Sequence, residues 1–589
     1  MLIRGSVRGL TVLAESRHAV VIQQALERTL GVKASVLPAK PSSLSFAGGD
    51  FLVLAIAGGE DAAALGKVLR LKSLTNKLPA GGFQITAKDG ATRIASVTGG
   101  DLAGLLYAIP HLKRVGKLTP DGLELPDKQI VEKPAFRYRI YWTWDHSTNW
   151  YLDSPGLVDW GCNNEYLKPS HVFVEDYKRL IDHMLVSRAN ATLIWGFLRD
   201  AHGGVAAGQE LVSYANARGL KLMPSIGTSC YGGFYYRGQH PFSADAWLRK
   251  RPDCRATNRN GEFENRLCPT HPDNIRWLKD GTRWLLETFD TDAINLEYGD
   301  FVVCHCTRCK AKRASMGGTD FDYYKEMALS QNPVIDEALD IHPDAWVMYA
   351  TYTGFQLQPK DAVGYSAAGA SSKRPDFLKR ISPKSICMWT LTGMLNQEPV
   401  PIVKWLEDGR AKALLSSANW PAGLECPTER SCGFVHQGSQ WYAFPNRPGH
   451  TRYTQIISTI KEAAIRGLEA GLHGLCIHGE IPTQCVPYEL NYLAFSHFCY
   501  HPHDNARQFA RAQLSDLLGG EEQAEFFIET LAHAETGTLD EQRRKKLVEI
   551  ERSYASRVRQ GSDFETYRRW RWLGFVAGTN QGAPYLHAP

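Results

Sequence analysis

Apolar residues along this chain fall into short runs of about four to eight residues, separated by stretches in which they recur every three or four positions. The first pattern marks strands buried on both faces and the second marks amphipathic helices. Between residues 131 and 500 the two alternate, and repeated strand–helix alternation predicts an α/β fold built on a parallel sheet. Strands are predicted over 138–144, 191–197, 221–227, 293–298, 346–353, 385–391, 432–437 and 474–479. Helices such as 175–188, 209–218 and 453–470 separate many of them. Eight such strands suit a (β/α)8 TIM-type barrel, expected to span 131–500.

The flanks read differently. Residues 1–130 predict a small α/β domain, with helices over 17–30, 62–71 and 101–115 and strands over 51–57, 83–87 and 92–97. It shows no catalytic cluster and reads as a structural flank. Pro126 and Pro134 punctuate 127–134, which is expected to be a linker. Residues 501–589 predict a helical region with helices over 505–518, 521–533, 539–559 and 563–576. Gly519-Gly520 should stop the first, and Thr538 or Asp540 should cap the third.

Composition removes several function classes. With 43% hydrophobic and 22% charged residues, the 589-residue chain has ample material for buried cores. A net charge of +5 from 67 basic and 62 acidic residues, with no long basic run, gives no support to nucleic-acid or membrane-surface binding. No apolar run reaches the roughly 18 residues of a membrane span. The N-terminus MLIRGSVRGLTVLAES lacks the apolar core and cleavage site of a signal peptide, so a cytoplasmic placement is expected, or a periplasmic or secreted one if a leader has been removed. Neither a P-loop nor a Rossmann glycine fingerprint occurs, so no cofactor for catalysis is expected. A homo-oligomer is compatible with all of this.

The chemistry gathers where strands end. In an α/β barrel the polar groups of the site stand at the C-terminal ends of the strands. The stretch DAINLEYGDFVVCHCTRC delivers Glu297 and Asp300 at such an end. Other ends supply Asp145 beside Trp144, then Arg199 with His202, and later Tyr352, Trp389, His436, Trp441 and Glu480. Acids and histidines among aromatic rings suit a sugar site, where rings hold the sugar face and two carboxylates flank the scissile bond. Glu297 and Glu480 form the best pair, since burial at a strand end favours a protonated acid in one while the other stays ionised. A salt bridge to a rim arginine such as Arg199 is the structural alternative for either. Asp145 and Asp300 are expected to bind hydroxyls or orient a partner, and Glu425 and Glu429 stand as substitutes for Glu480.

Thirteen cysteines in a large chain favour reduced thiols or metal ligands over a disulfide framework. Cys304, Cys306 and Cys309 form a Cys-x-Cys-x-x-Cys cluster just after Glu297, and Cys268 of a Leu-Cys-Pro turn could supply a fourth sulfur. Four sulfurs would make a closed structural zinc site that braces the loop without entering catalysis. Free thiols or a disulfide are the alternatives.

The run DLAGLLYAIPHLKRV followed by KPAFRYRIYW resembles the β-hexosaminidase and α-glucuronidase superfamilies, in which a small α/β domain precedes a catalytic barrel. Pro134, Phe136 and Arg139 match the Pro-x-Phe-x-x-Arg junction of that layout, and the resemblance implies that Arg139 binds sugar hydroxyls. TWDHSTNW is also similar to the His-Trp-Asp-Asn run of α-glucuronidases. The barrel is more closely similar to bacterial proteins that pair a Leu-Cys-Pro turn with a later Asp and Cys-x-Cys-x-x-Cys, a group that includes endo-β-N-acetylglucosaminidases. Cys268, Asp300, Cys304, Cys306 and Cys309 match it, and the similarity runs on through WVMYATYTGF to GLCIHGE and ELNYLAF. Hexosaminidases of this layout end the fourth strand in an Asp-Glu pair whose Glu donates the proton. Here Phe301 follows Asp300, so the donor does not carry over at that position, and Glu297 replaces it only if the strand end is re-aimed.

The expected function is hydrolysis of a glycosidic bond in a glycan containing N-acetylhexosamine or uronic acid. Glu297 would act as acid/base, Glu480 as nucleophile or base and Asp300 as orienting group, with Arg139, Trp144, Asp145, Tyr352, Trp389, His436 and Trp441 around the sugar. Two rivals are a polysaccharide lyase using Tyr298 or His436 as base, and a barrel that binds glycan without turnover.

Overall fold

The computed structural model describes residues 2–4, 10–14, 16–31, 34–38, 50–88, 93–119, 122–126, 128–145, 147, 169–227, 234–297, 303–317, 323–354, 382, 384–390, 430–436, 456–469, 471–478 and 486–580. The chain divides into two units. One comprises Met1–Arg137, Lys178–Asn190 and Tyr214–Leu220, and the other comprises the remainder.

The first unit is built on a six-stranded sheet. Its strands are β2 (Leu10–Ala14), β3 (Ala34–Pro38), β4 (Asp50–Ile56), β5 (Phe83–Lys88), β6 (Arg93–Gly99) and β9 (Ile130–Glu132), in the order β3-β2-β4-β6-β5-β9. Neighbours from β3 to β6 run parallel, while β5 pairs antiparallel with both β6 and β9. Residues 130–132 therefore form the edge of this sheet, which corrects the expectation that 127–134 is only a linker. A three-stranded sheet accompanies it, formed by β1 (Leu2–Arg4), β7 (Lys117–Thr119) and β8 (Gly122–Glu124).

Helices α1 (Ala19–Leu30), α2 (Glu60–Leu69) and α3 (Leu102–Val115) complete the unit. The start of α3 is set by Asp101, whose carboxylate accepts from Gly104 N at 2.7 Å and from Gly81 N at 3.0 Å. Gly100 is required beside it, because a Cβ there would sit 2.0 Å from the Pro79 carbonyl oxygen.

The second unit contains a closed barrel of eight parallel strands. They are β10 (Tyr138–Trp144), β11 (Ala191–Trp195), β12 (Lys221–Gly227), β15 (Ala293–Glu297), β16 (Trp346–Gly354), β17 (Ile386–Thr390), β18 (Ser431–His436) and β19 (Gly474–His478). The order around the barrel is the order along the chain, and β19 closes onto β10 with Gly474 opposite Tyr138. A Cβ on Gly474 would fall 2.5 Å from that of Tyr138, so the seam needs a residue without a side chain.

Strand alternation sorts residues between the two faces of the barrel wall. Tyr138, Ile140, Trp142 and Trp144 join Leu193, Trp195, Met223, Met348, Met388, Phe434 and Cys476 in one interior cluster. The intervening residues face the surrounding helices. Tyr141 packs edge-on against Tyr492 at 4.7 Å, and Thr143 lies 3.1 Å from the Tyr177 hydroxyl.

Crossover helices include α4 (Ser170–Ser187), α5 (Gly204–Asn216), α7 (Pro272–Phe289), α9 (Tyr323–Ile341) and α10 (Ile457–Glu469). The connection from β12 to β15 also carries α6 (Ala244–Lys250) and a hairpin of β13 (Arg255–Thr257) and β14 (Phe263–Leu267). Short α8 (Thr307–Ser315) follows β15.

The C-terminal stretch is helical as expected: α11 (Val486–Phe498), α12 (Ala506–Leu518), α13 (Glu521–Glu535), α14 (Glu541–Arg559) and α15 (Phe564–Val576). Asn505 and Gln508 form a capping box at α12, and Gly519 ends that helix at φ +95°, a conformation favouring glycine. Of the two caps foreseen for α14, Asp540 supplies it, accepting from Arg543 N at 2.7 Å. No helix among the described residues is long and apolar enough to cross a membrane.

Candidate active site

All eight strands run the same way, so their C-terminal ends share one mouth. The interior row of β15 begins at Ala293 and passes through Asn295 to Glu297, its last residue. Glu297 is only 1% exposed and stands in register with Gly227 of β12. Beneath it, Asn295 Nδ2 donates to Ser225 Oγ at 3.0 Å, a polar contact beside the apolar interior cluster.

The fourth and eighth strands occupy opposite walls. On the eighth, the interior row ends at His478, whose ring meets Trp144 edge-on at 4.5 Å and Trp142 at 4.9 Å. Phe434 closes the group, 4.8 Å from Trp142 and 5.2 Å from His478. The barrel thus offers a carboxyl on one wall and an aromatic cluster with an imidazole on the other.

Asp145 lies immediately beyond Trp144 and is fully buried. Its Oδ2 stands 3.0 Å from Arg199 Nε and 3.2 Å from His202 Nε2. Arg199 also donates to the Gly196 carbonyl at 3.2 Å, and His202 stacks on Phe173 with ring centres 4.0 Å apart. Tyr177 donates its hydroxyl to the Trp144 carbonyl at 2.5 Å, and burial pushes its phenol well above the ordinary value. These contacts make Asp145 the hub that fixes the ends of the first two strands. They also pair Arg199 with Asp145.

Arg139 requires a correction. It was expected to bind sugar, but alternation puts it on the opposite face of β10 from Tyr138, Ile140 and the other interior residues. Its guanidinium stacks over the Tyr500 ring at 5.3 Å, outside the barrel interior.

Of the remaining expected residues, Trp144 joins the interior cluster. Tyr352, Trp389 and His436 lie within β16, β17 and β18, where only their backbone is described. Asp300, Trp441 and Glu480 lie outside the described residues, as do Tyr298, Glu425 and Glu429. Residues that the sequence pattern did not single out for the site are Trp142, Trp195 and Asn295. The signal for them was present in the alternation, since each occupies an interior position of its strand.

The four predicted metal ligands do come together: the sulfurs of Cys268, Cys304, Cys306 and Cys309 lie within 4.8 Å of one another. Thiols packed so closely share protons. The hydrogen bond with Cys304 draws the Cys268 thiol down to about 6, and that with Cys268 draws Cys306 far down. Cys304 and Cys309 are pushed up in return by their hydrogen bonds with Cys268.

No family model and no curated protein sequence matches this chain. Solved structures do resemble it. CpGH84B aligns with a TM-score of 0.54 at 9% identity, over 98% of this chain and 88% of its own. CpGH84D aligns with a TM-score of 0.52 at 8% identity, over 98% and 85%. A GH138 enzyme described as targeting pectin rhamnogalacturonan II aligns with a TM-score of 0.52 at 13% identity over 90% of this chain. The chain spans 56% of that protein's length. At such identities the likeness is one of fold.

Proposed function

We propose that this chain is a glycoside hydrolase and that Glu297 is its acid/base. The observation that carries the reading is the position of Glu297: the last interior residue of the fourth strand, at the mouth of the barrel and almost wholly withdrawn from solvent. A carboxyl there can meet a glycosidic oxygen, and Trp142, Trp144 and His478 across the barrel form an apolar wall of the kind that holds a sugar ring. The GH84 and GH138 designations of structures that share the fold support the same reading.

The second carboxylate is assigned to Glu480, two residues along the chain from His478, which ends the strand facing Glu297 across the barrel. Asp300, three residues after Glu297, orients substrate or partner. Kinship with the Cys-x-Cys-x-x-Cys group rests on the cysteine motif and on the convergence of its sulfurs. The proposed substrates are glycans containing N-acetylhexosamine or uronic acid.

The test is digestion of a glycan panel containing both sugar classes. A hydrolase releases new reducing ends and no ultraviolet-absorbing product. An unsaturated, absorbing product would establish a lyase, and binding without new reducing ends would establish a non-catalytic barrel.

A further inference from the structure

Away from the interior row of the barrel, two segments distant in sequence bring four sulfurs together. Cys268 follows β14 in the turn that leads to α7, Cys304 and Cys306 precede α8, and Cys309 lies in the first turn of that helix. The Cys268 sulfur stands 3.7 Å from that of Cys306 and 3.6 Å from that of Cys309. Bonded disulfide sulfurs are about 2.0 Å apart, so these are not disulfide pairs. Four thiolates held about 2.3 Å from one tetrahedral ion would stand about 3.8 Å from each other, close to the spacing seen.

We propose that Cys268, Cys304, Cys306 and Cys309 form a closed, four-sulfur zinc site that fixes the turn between β14 and α7 to the start of α8. Binding replaces the thiol protons with one dication, leaving two net negative charges to be spread. The surroundings supply donors for that. Thr257 N points to Cys304 Sγ at 3.4 Å and Cys309 N to Cys306 Sγ at 3.4 Å, while the Thr270 hydroxyl lies 3.1 Å from Cys309 Sγ. Such contacts orient sulfur ligands and temper their charge.

The ligand loop is itself tied down. Cys304 N donates to the buried Glu326 carboxylate at 2.5 Å, and Arg313 pairs with the same carboxylate while donating to the Cys304 carbonyl at 2.7 Å. Arg266 donates to the Val303 carbonyl at 3.0 Å, and His305 N to the Thr257 carbonyl at 2.7 Å. The β13–β14 hairpin, the Cys268 turn and the start of α8 are therefore already one unit. With all four positions taken by protein sulfur, the ion has no open site for substrate, which makes its role structural. A neighbouring group of Asp253, Cys254 and His271 is a weaker competitor, because Asp253 is largely exposed and its carboxylate is engaged by Arg251 at 2.8 Å. Six residues along the chain separate Glu297 from Cys304.

Elemental analysis of the full chain, purified without chelators or a metal-affinity step, is expected to find about one zinc per chain. Cys306→Ser and Cys304→Ser should each lower zinc at least about fivefold, whereas Cys254→Ser should keep it. Should the serine variants fail to fold, the wild-type protein still decides the matter. Titration with a mercurial should release zinc to a chromogenic chelator in step with the loss of four thiols, and cobalt-loaded protein should show the bands of a tetrahedral thiolate complex. A folded, metal-free wild-type chain with freely titrating thiols would overturn the proposal. So would iron in place of zinc, or zinc that survives both serine substitutions in folded protein and leaves with Cys254.

Discussion

Asp145 and Arg199 form a buried ion pair at the barrel mouth, with Oδ2 and Nε 3.0 Å apart and the side chains 0% and 5% exposed. A charge so placed is tolerated because its partner is present, and deleting one member leaves the other buried without its counter-ion. Asp145→Ala is therefore expected to lower folding stability by about 3 to 5 kcal/mol in urea unfolding, and Asp145→Asn by less. If Asp145→Asn kept its stability but lost glycan binding, Asp145 would be a sugar ligand and not a hub.

Arg139 tests the same distinction from the other side. Stacked over Tyr500 and facing away from the barrel interior, it should contribute packing and cation–π attraction worth about 0.5 to 2 kcal/mol. Arg139→Lys should lower the melting temperature while leaving the KM for any cleaved glycan unchanged. A raised KM with unaltered stability would return Arg139 to the binding site.

Acid sensitivity can be assigned to a particular contact. The Tyr236 hydroxyl donates to Asp200 Oδ1 at 2.6 Å and Gln239 N donates to Oδ2 at 2.9 Å, and these hold the Asp200 carboxyl below its ordinary value of 3.8. Because the folded value lies below the unfolded one, the stabilisation is present above about pH 4 and is lost as pH falls through the folded value. Asp200 is exposed, so solvent screening keeps the effect small. The stability difference between wild type and Asp200→Asn, measured by urea unfolding, should be present at about pH 6 and shrink below about pH 4. A difference constant across that range would mean that the carboxylate charge contributes nothing.

The barrel was legible because parallel strands are covered on both faces and read as apolar runs. All eight predicted strands are present, and Lys221–Gly227 matches its expected span at both ends. What stayed hidden depends on partners far along the chain. The hairpin strands Arg255–Thr257 and Phe263–Leu267 are short and polar, and pairing rather than composition makes them strands. Ile130–Glu132 looked like a linker between prolines because nothing local shows that Phe83–Lys88 will pair with it. The pairing of Arg199 with Asp145 at 3.0 Å likewise depends on the second strand lying beside the first, which nothing local to either residue shows. Arg139 is a different kind of error. Alternation from Trp144 already assigns it to the outer face, whatever the junction motif implies.

Glu297 is the residue on which the functional reading rests. Its carboxyl ends the interior row of the fourth strand and is 1% exposed, while the aromatic wall of Trp142, Trp144 and His478 belongs to other strands. Glutamine keeps the shape of the side chain but removes its acid, so substrate holding and proton transfer should separate. Glu297→Gln is expected to lower turnover of a natural glycan by at least about two orders of magnitude, with little change in binding measured by calorimetry. Aryl glycosides with good leaving groups should be spared in part, because departure of a stable phenolate needs little protonation. A uniform loss on all substrates would place Glu297 in the nucleophile step instead. Near-normal turnover would move the acid to Asp300, Asp145 or Glu425, and of these Asp145 is already committed to Arg199 and His202.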